Sequence, residues 1–260
     1  IAASGSEMSG SCVITNEDGW LKRGSTRSDL CRPKFTLMNP RLTYTLPEYQ
    51  TESGCVDILL HTMERYFVNI ETMDITDSIS ESLMQTVIYN ARILLNEPGN
   101  YNARAEIMWA GSLSHNGLTG CGTGGGDWAC HQLEHELGGL YDVTHGAGLA
   151  ALWGSWARYV YDANPERFAQ FATNIFDIPC FADYENTALA GIEAMEDFFR
   201  SIHMPTNLHE LGLDLTDEQI DEAFNQMPDG AAGFLKSWGY RQFARAVLAA
   251  KWHRLRQSSF

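Results

Sequence analysis

After residue 51, apolar residues recur every three or four positions along most of the chain, which is the spacing of one face of an α-helix. The pattern predicts helices over 56–68, 79–95, 102–113, 128–140, 149–161, 165–171, 187–202, 216–225 and 241–255. The helix at 216 has a capping box, because Thr216 stands at its N-cap and Gln219 follows three residues later. The helix at 241–255 has a basic face, which we expect to be solvated.

The first fifty residues are the only part of the chain with strand character. Short runs at 11–15 and 20–23 flank the turn signal Asn16-Glu17-Asp18-Gly19, which predicts a hairpin. A third short strand is predicted over 33–38, closed by Asn39-Pro40. We therefore expect a mainly α-helical fold with a few β-strands at its N-terminal end, as edge strands of a sheet whose centre lies outside this sequence.

The composition limits the classes of protein to which the chain can belong and the kinds of partner that it can bind. The chain has 260 residues, 44% of them hydrophobic, so it can fold around a sizeable core. Eighteen basic residues against 33 acidic ones give a formal charge of −15, which argues against a nucleic-acid partner. The sequence contains no apolar run long enough to span a membrane, and since no basic segment precedes an apolar one near its start, we expect no signal peptide. Six cysteines without a CxxC pair favour reduced thiols, so we expect a cytoplasmic protein.

Two pairs of potential metal ligands have helical spacing. Asp57 precedes His61 by four residues and His131 precedes His135 by the same interval, so each pair leaves one face of a predicted helix. A carboxylate and an imidazole placed in this way can share a metal ion. His145 follows in a glycine-containing stretch that allows close backbone approach. Four histidines and one aspartate with this spacing indicate a candidate metal site.

Shorter motifs in the same region suggest other interpretations. His131, Glu134 and His135 match the H-x-x-E-H motif of zinc peptidases, in which both histidines bind zinc and the glutamate is the general base. The stretch 120–125 fits the letters G-x-G-x-x-G of dinucleotide-binding loops. Helix, not strand, is predicted before it, so a loop leading into the helix of His131 is favoured. Cys130 is a further potential thiolate ligand, although a single cysteine of this kind more often packs in a core.

Taken together, these residues resemble the iron-containing alcohol dehydrogenase family, and within it the butanol-dehydrogenase branch. The similarity includes Asp57-x-x-x-His61, His131-x-x-x-His135 and His145, together with Gly5-Ser6-Glu7, Asn39-Pro40, Tyr44-Thr45-Leu46-Pro47, 61–64, Asp127-Trp128 and 131–137. It covers essentially the whole chain. The resemblance implies a helical metal-binding domain of the dehydroquinate-synthase-like fold over 48–260, preceded over 1–47 by residual strands of a Rossmann-like nucleotide-binding domain.

The resemblance also implies roles for seven residues. Four of them would bind one divalent metal, Fe²⁺ or Zn²⁺: Asp57, His61, His131 and His145. His135 would be the catalytic proton relay beside the substrate and the nicotinamide. Ser4 and Lys22 would touch the dinucleotide, NAD or NADP, at the margin of its site. The rest of the nucleotide-binding half, with its pyrophosphate loop, is expected to lie outside this sequence.

The activity that the resemblance implies is that of a metal- and NAD(P)-dependent alcohol dehydrogenase or aldehyde reductase. Its substrate would be a small primary alcohol or aldehyde such as butanol or butanal, and we expect a homodimer. A set of one aspartate and three histidines leaves open positions on a metal, as catalytic sites do, but does not separate iron from zinc. Two alternatives stay open: a zinc hydrolase that uses His131, Glu134 and His135, and a helical metal-binding domain without catalytic activity.

Overall fold

The computed structural model describes residues 4–24, 29–69, 73–180 and 183–225. In these residues a two-stranded β-hairpin precedes eight α-helices, so the predicted mainly helical fold is confirmed. The strands are β1 (Val13–Asn16) and β2 (Leu21–Gly24). The helices are α1 (Glu48–Tyr66), α2 (Asp74–Asn96), α3 (Tyr101–His115), α4 (Ala129–Tyr141), α5 (His145–Val160), α6 (Pro165–Phe176), α7 (Tyr184–Ser201) and α8 (Asp217–Asn225).

Eight of the nine predicted helices are present, with ends that differ by up to eight residues. α1 begins eight residues before its predicted start, because buried polar residues in its first turns, such as Thr51 and Ser53, hide the apolar period. α5 begins at His145 rather than 149, since glycines in its first turn carry no side chain to show the pattern. The predicted capping box of α8 is present: Thr216 N donates to Gln219 Oε1 (2.9 Å) and Gln219 N to Thr216 Oγ1 (3.3 Å). The predicted helix 241–255 lies outside the described residues.

The hairpin forms where the sequence predicts it, but the third strand does not. β1 and β2 pair antiparallel around the turn, with Gly19 at a φ of +84°. Residues 33–38 are irregular, so the prediction of a strand there is wrong. Phe35 and Leu37 are 82% and 89% exposed, and no described strand lies beside them to pair with their backbone. The domain boundary predicted after residue 47 stays a prediction; α1 starts at Glu48.

α1 is the central helix of the fold. It packs against α2, α3 and α5, and its residues from Thr51 to Tyr66 are buried on almost every side. Beyond its end, Phe67 stacks on Phe168 with ring centroids 4.2 Å apart and lies within 5.0 Å of Phe171, which joins α1 to α6. A polar residue on α1 is therefore placed in the interior, where it needs a partner.

Within the described ranges, none of the helices combines the length and the apolar character needed to cross a lipid bilayer.

The cysteines carry free thiols, and burial raises the pKa of Cys130 well above its ordinary value. In the metal-free protein Cys130 is therefore a protonated thiol packed in the core.

Glu52 on α1 is a carboxylic acid buried without a hydrogen-bond partner. Its side chain is 1% exposed, and neither carboxyl oxygen bonds to another described residue. Burial and then the neighbouring Glu48 raise the pKa of Glu52 to about 8, while Arg104 opposes them. The unfolded chain releases this proton near pH 4.5, and the folded chain keeps it up to about pH 8. Stability is therefore lost as pH rises between these two values.

We expect the substitution Glu52→Gln to remove this loss. Relative to the variant, the wild type should lose about 2–4 kcal/mol of unfolding free energy between about pH 5 and pH 8, from 1.36 kcal/mol per pKa unit. Urea unfolding of both proteins across this range measures the difference, with the exposed Glu193→Ala as control. A difference between wild type and Glu52→Gln that does not change with pH would show that Glu52 is ionised throughout.

Candidate metal centre

Three helices bring one carboxylate and three imidazoles together. Asp57 and His61 lie on α1, His131 on α4, and His145 is the first residue of α5. Asp57 Oδ1 lies 3.6 Å from His61 Nε2, 3.6 Å from His131 Nε2 and 3.5 Å from His145 Nε2. The predicted ligands therefore converge, although His61 and His145 are far apart in sequence.

The spacing of these atoms fits a shared metal ion. Two ligands at about 2.1 Å from a tetrahedral ion are themselves about 3.4 Å apart, close to the three separations seen here. Asp57 Oδ1 and His131 Nε2 are buried and have no hydrogen-bond partner, although buried polar atoms are nearly always paired. An ion at the meeting point would supply the missing partner for both atoms.

In two of these imidazoles, Nδ1, the ring nitrogen that does not face Asp57, bonds to a buried carboxylate. Glu64, 1% exposed, accepts from the backbone N of His131 (3.1 Å) and lies 2.7 Å from its Nδ1. Glu134, fully buried, bonds through Oε2 to Nδ1 of His145. Carboxylates in this position fix the tautomer and the orientation of metal-binding histidines. Sequence reasoning gave Glu64 no role, although it lies seven residues after Asp57 on the same helical face.

Lys22 on β2 completes the surroundings of Glu134. Its Nζ lies 3.0 Å from Glu134 Oε2 and 3.3 Å from His145 Nδ1. Glycines make room for this ion pair, because a Cβ on Gly138 would lie 2.8 Å from Glu134 Oε1 and one on Gly148 would lie 2.9 Å from Glu134 Cγ. The donor group Glu134, His135 and His145 is a second potential cation site by distance alone, but the ammonium of Lys22 already serves it.

The buried charges explain the protonation states in the metal-free protein. Burial alone would raise the pKa of Asp57, but the surrounding imidazoles hold it below its ordinary value. Burial lowers the pKa of His61 well below its ordinary value, and Asp57 offsets only part of this. Burial would also lower the pKa of His131, yet Glu64 and Asp57 raise it to about 9. The aspartate is therefore ionised, as a metal ligand must be.

His135 lies at the more open side of the cluster. Its ring centroid is 5.8 Å from that of His145 and 6.4 Å from that of His131. The side chain of His145 is 30% exposed, whereas those of Asp57, His61 and His131 are 9% or less. Burial, followed by the charges of His131 and His145, lowers the pKa of His135 to about 2, so this imidazole is neutral. A molecule that reaches the cluster from solvent meets His145 and His135 first.

Ser4 and the glycine-rich stretch 120–125 are the remaining predicted features. Ser4 is exposed and its Oγ donates to Ser6 Oγ at 3.2 Å. The glycine-rich stretch 120–125 follows α3 and a short 3-10 turn, not a strand, so the interpretation as a loop leading into α4 is confirmed. Its glycines Gly122, Gly124 and Gly125 have positive φ, as do many turn glycines.

Sequence reasoning missed three residues next to His61. His115, the last residue of α3, stacks on His61 with centroids 4.0 Å apart. The guanidinium of Arg65 lies 4.4 Å from the ring centre of Trp128, and the Trp128 ring lies 5.2 Å from that of His131. His115 is 54 residues from His61, so no local spacing connects them and only the fold could reveal the contact.

The zinc-peptidase interpretation finds no support in this geometry. A general base must reach a water molecule in a cleft, but Glu134 is fully buried and bonded to Lys22 and His145. His131 directs Nε2 towards Asp57 on α1, and the H-x-x-E-H motif includes no such aspartate.

Comparison with known proteins identifies the family. The model described as "Fe-containing alcohol dehydrogenase family, C-terminal" matches residues 51–236. The chain is 37% identical over 214 residues to NADH-dependent butanol dehydrogenase A of Clostridium acetobutylicum, covering 82% of this chain and 54% of that protein. It is 34% identical over 214 residues to the NADPH-dependent aldehyde reductase YqhD of Escherichia coli, with 82% and 54% covered.

A solved structure agrees with these matches. The crystal structure of NADH-dependent butanol dehydrogenase A from Thermotoga maritima superposes with a TM-score of 0.88 at 35% identity, covering 96% of this chain and 63% of that one. This chain thus spans between half and two thirds of the length of these relatives. It belongs to the Fe-containing alcohol dehydrogenase family and is butanol-dehydrogenase-like.

Proposed function

We propose that this chain is the metal-binding part of an NAD(P)H-dependent alcohol dehydrogenase or aldehyde reductase that acts on small primary alcohols and aldehydes such as butanol and butanal. The observation that carries the proposal is the meeting of three imidazole Nε2 atoms within 3.5–3.6 Å of one oxygen of Asp57. The names of two relatives supply the substrate class, since one is a butanol dehydrogenase and the other an aldehyde reductase.

The proposed ligands of one divalent ion, Fe²⁺ or Zn²⁺, are Asp57, His61, His131 and His145. When bound, such an ion supplies Lewis-acid polarisation of a carbonyl oxygen, and the nicotinamide supplies the hydride. Glu64 and Glu134 hold two of the imidazoles in the required orientation through their Nδ1 atoms. Lys22 supplies the cationic partner of Glu134, a fully buried carboxylate that also bonds to Nδ1 of His145.

His135 is the proposed proton relay. Its place beside the more exposed His145 puts it next to any substrate that enters the cluster from solvent. A neutral imidazole can take a proton at one ring nitrogen while it releases the proton of the other, so it need not stay charged in a buried site. Ser4 and Lys22 are the proposed contacts to the dinucleotide, which is NAD or NADP, as the names of the relatives allow.

We propose that a nucleotide-binding half, which the family resemblance implies, completes the catalytic unit. The coverage of the relatives supports this, since about half of each matched protein lies outside the aligned region. Large apolar side chains on the N-terminal segment also support it, since Ile14, Leu30, Phe35 and Leu37 are 69% to 96% exposed. An apolar surface of this kind is normally covered by a domain or partner. A homodimer is part of the same proposal.

The test is butanal reduction with NADH and with NADPH, in protein reconstituted with Fe²⁺ or Zn²⁺. We expect turnover when this chain is joined to a family nucleotide-binding half and none after the metal is chelated. The substitution His135→Ala should lower kcat by about 10²–10⁴-fold, the usual contribution of a positioned acid–base group, without changing metal affinity.

His209→Ala, an exposed histidine paired with Asp214, is the matched control and should keep full activity. Metal binding without aldehyde reduction by the joined protein would favour a non-catalytic metal-binding domain. Peptidase activity that is lost in Glu134→Gln would favour the zinc hydrolase instead. Equal activity of His135→Ala and wild type would remove His135 from the mechanism.

A further inference from the structure

His61 differs from the other two imidazoles of the cluster in the surroundings of Nδ1, the ring nitrogen that does not face Asp57. Nδ1 of His131 and Nδ1 of His145 each face a buried carboxylate, Glu64 and Glu134 respectively. Nδ1 of His61 is buried and has no hydrogen-bond partner. Metal-binding histidines almost always donate this second N–H to a carboxylate, a carbonyl or water, which fixes the orientation of the ring. Some other contact must therefore fix the ring of His61.

Stacked rings are that contact. The His115 ring lies on the His61 ring with centroids 4.0 Å apart and planes inclined by 27°. The His131 ring also stacks on His61, at 4.8 Å and 18°. The His61 ring is therefore packed against two other imidazole rings. Since the side chain of His61 is only 7% exposed, little room is left for its ring to turn.

His115 is itself fixed at both edges. Arg65 Nη2 lies 3.2 Å from His115 Nδ1, and arginine has only donors, so Nδ1 must accept. The proton of the neutral ring is then on Nε2, which donates to Ser11 Oγ at 3.2 Å. Arg65 in turn donates through Nη1 to the carbonyls of His61 and Ser114. The stacking ring is therefore tied to α1 through Arg65 and to the N-terminal segment through Ser11.

We propose that His115 is a positioning residue for His61, and that ring stacking does for this ligand what a carboxylate does for the other two. His115 acts through His61 and does not bind the ion. The inference rests on the metal site of the proposed function. It goes beyond that site by adding a residue from α3, a helix that carries none of the four proposed ligands.

The test uses Co²⁺ alone as the probe, with this chain in its metal-free form. The dissociation constant and the visible absorption spectrum of bound Co²⁺ are measured for wild type, His115→Ala, His115→Asn and His115→Phe. We expect the Ala and Asn variants to bind about 10–100-fold more weakly, as loss of an outer partner does, with an altered spectrum. Phe keeps a flat ring and should restore both the affinity and the spectrum. His209→Ala, an exposed histidine that pairs with Asp214 away from the cluster, is the matched control and should bind within about threefold of wild type.

Thermal unfolding of each metal-free variant separates positioning from folding. A lower Tm in His115→Ala with unchanged affinity and spectrum would show a purely structural role and overturn the proposal. His115→Phe that is as weak as His115→Ala would show that the hydrogen bonds matter instead of the stacking, and would also overturn it. Failure of the wild type to bind Co²⁺ would overturn the metal site of the proposed function itself, a result distinct from both.

Discussion

Replacing Asp57 by alanine is expected to abolish specific binding of a divalent ion to this chain. Asp57 Oδ1 lies within 3.6 Å of Nε2 of all three histidines, and it supplies the negative charge that balances the ion. Its loss should therefore weaken binding by more than the roughly 10–100-fold that loss of an outer partner costs. Isothermal titration of the metal-free protein with Zn²⁺ measures the change.

Asp197→Ala is the control for this substitution, because Asp197 is an exposed aspartate on α7 that pairs with Arg200. It should bind Zn²⁺ with the affinity of the wild type. Circular dichroism of both metal-free variants shows whether the helices are retained. If the folded Asp57→Ala protein binds Zn²⁺ as tightly as the wild type does, the ion lies elsewhere.

Replacing Glu64 by alanine is expected to cost both stability and metal affinity. Glu64 is 1% exposed and is the partner of two donors on His131, the backbone N at 3.1 Å and the ring Nδ1 at 2.7 Å. Removal of one member of a buried, hydrogen-bonded charged pair typically costs about 3–5 kcal/mol of unfolding free energy. Zn²⁺ affinity should fall by about 10–100-fold, since His131 loses the group that orients it.

Urea unfolding of the metal-free protein and Zn²⁺ titration measure these two effects. Glu64→Gln keeps an acceptor for one of the two donors and should lose less stability, about 1–3 kcal/mol. The exposed Glu193→Ala on α7 should change neither quantity. A stable Glu64→Ala protein with unchanged affinity would show that His131 needs no carboxylate to hold its position.

The central part of the site could be predicted from the sequence because it is local. Asp57, His61 and Glu64 are spaced by four and three residues, so a single helix face carries all three side chains. The same helical spacing, extended by three residues from His61, would have placed Glu64 on the face that carries Asp57 and His61. His145 could be placed because the family resemblance includes it, and the structure brings its Nε2 to 3.5 Å from Asp57.

Contacts between distant segments could not be predicted in this way. Glu134 matched a catalytic motif in the sequence, yet its burial and its bonds to Lys22 and His145 make it a holding group. Lys22 reaches Glu134 from a strand 112 residues away, and His115 reaches His61 from the end of another helix. No regular spacing in the sequence predicts either contact, because both depend on how distant helices and strands pack together.

The wrong strand over 33–38 has a related cause. Apolar residues such as Phe35 and Leu37 alternate there as in a strand, but a strand also needs a neighbour to pair with. Among the described residues, the hairpin of β1 and β2 is the whole sheet and does not extend to this segment. The spacing of apolar residues indicates which side chains can share one face of a strand, but it does not indicate whether a neighbouring strand is present to pair with the backbone.

The measurement that tests the metal centre most directly is anomalous diffraction from crystals of this chain soaked in Zn²⁺, recorded on both sides of the zinc absorption edge. We predict one strong peak at about 2.0–2.2 Å from Asp57 Oδ1 and from the Nε2 atoms of His61, His131 and His145. A peak coordinated by His131 and His135 without Asp57, or no peak within reach of Asp57 in a crystal that binds zinc elsewhere, would contradict the account.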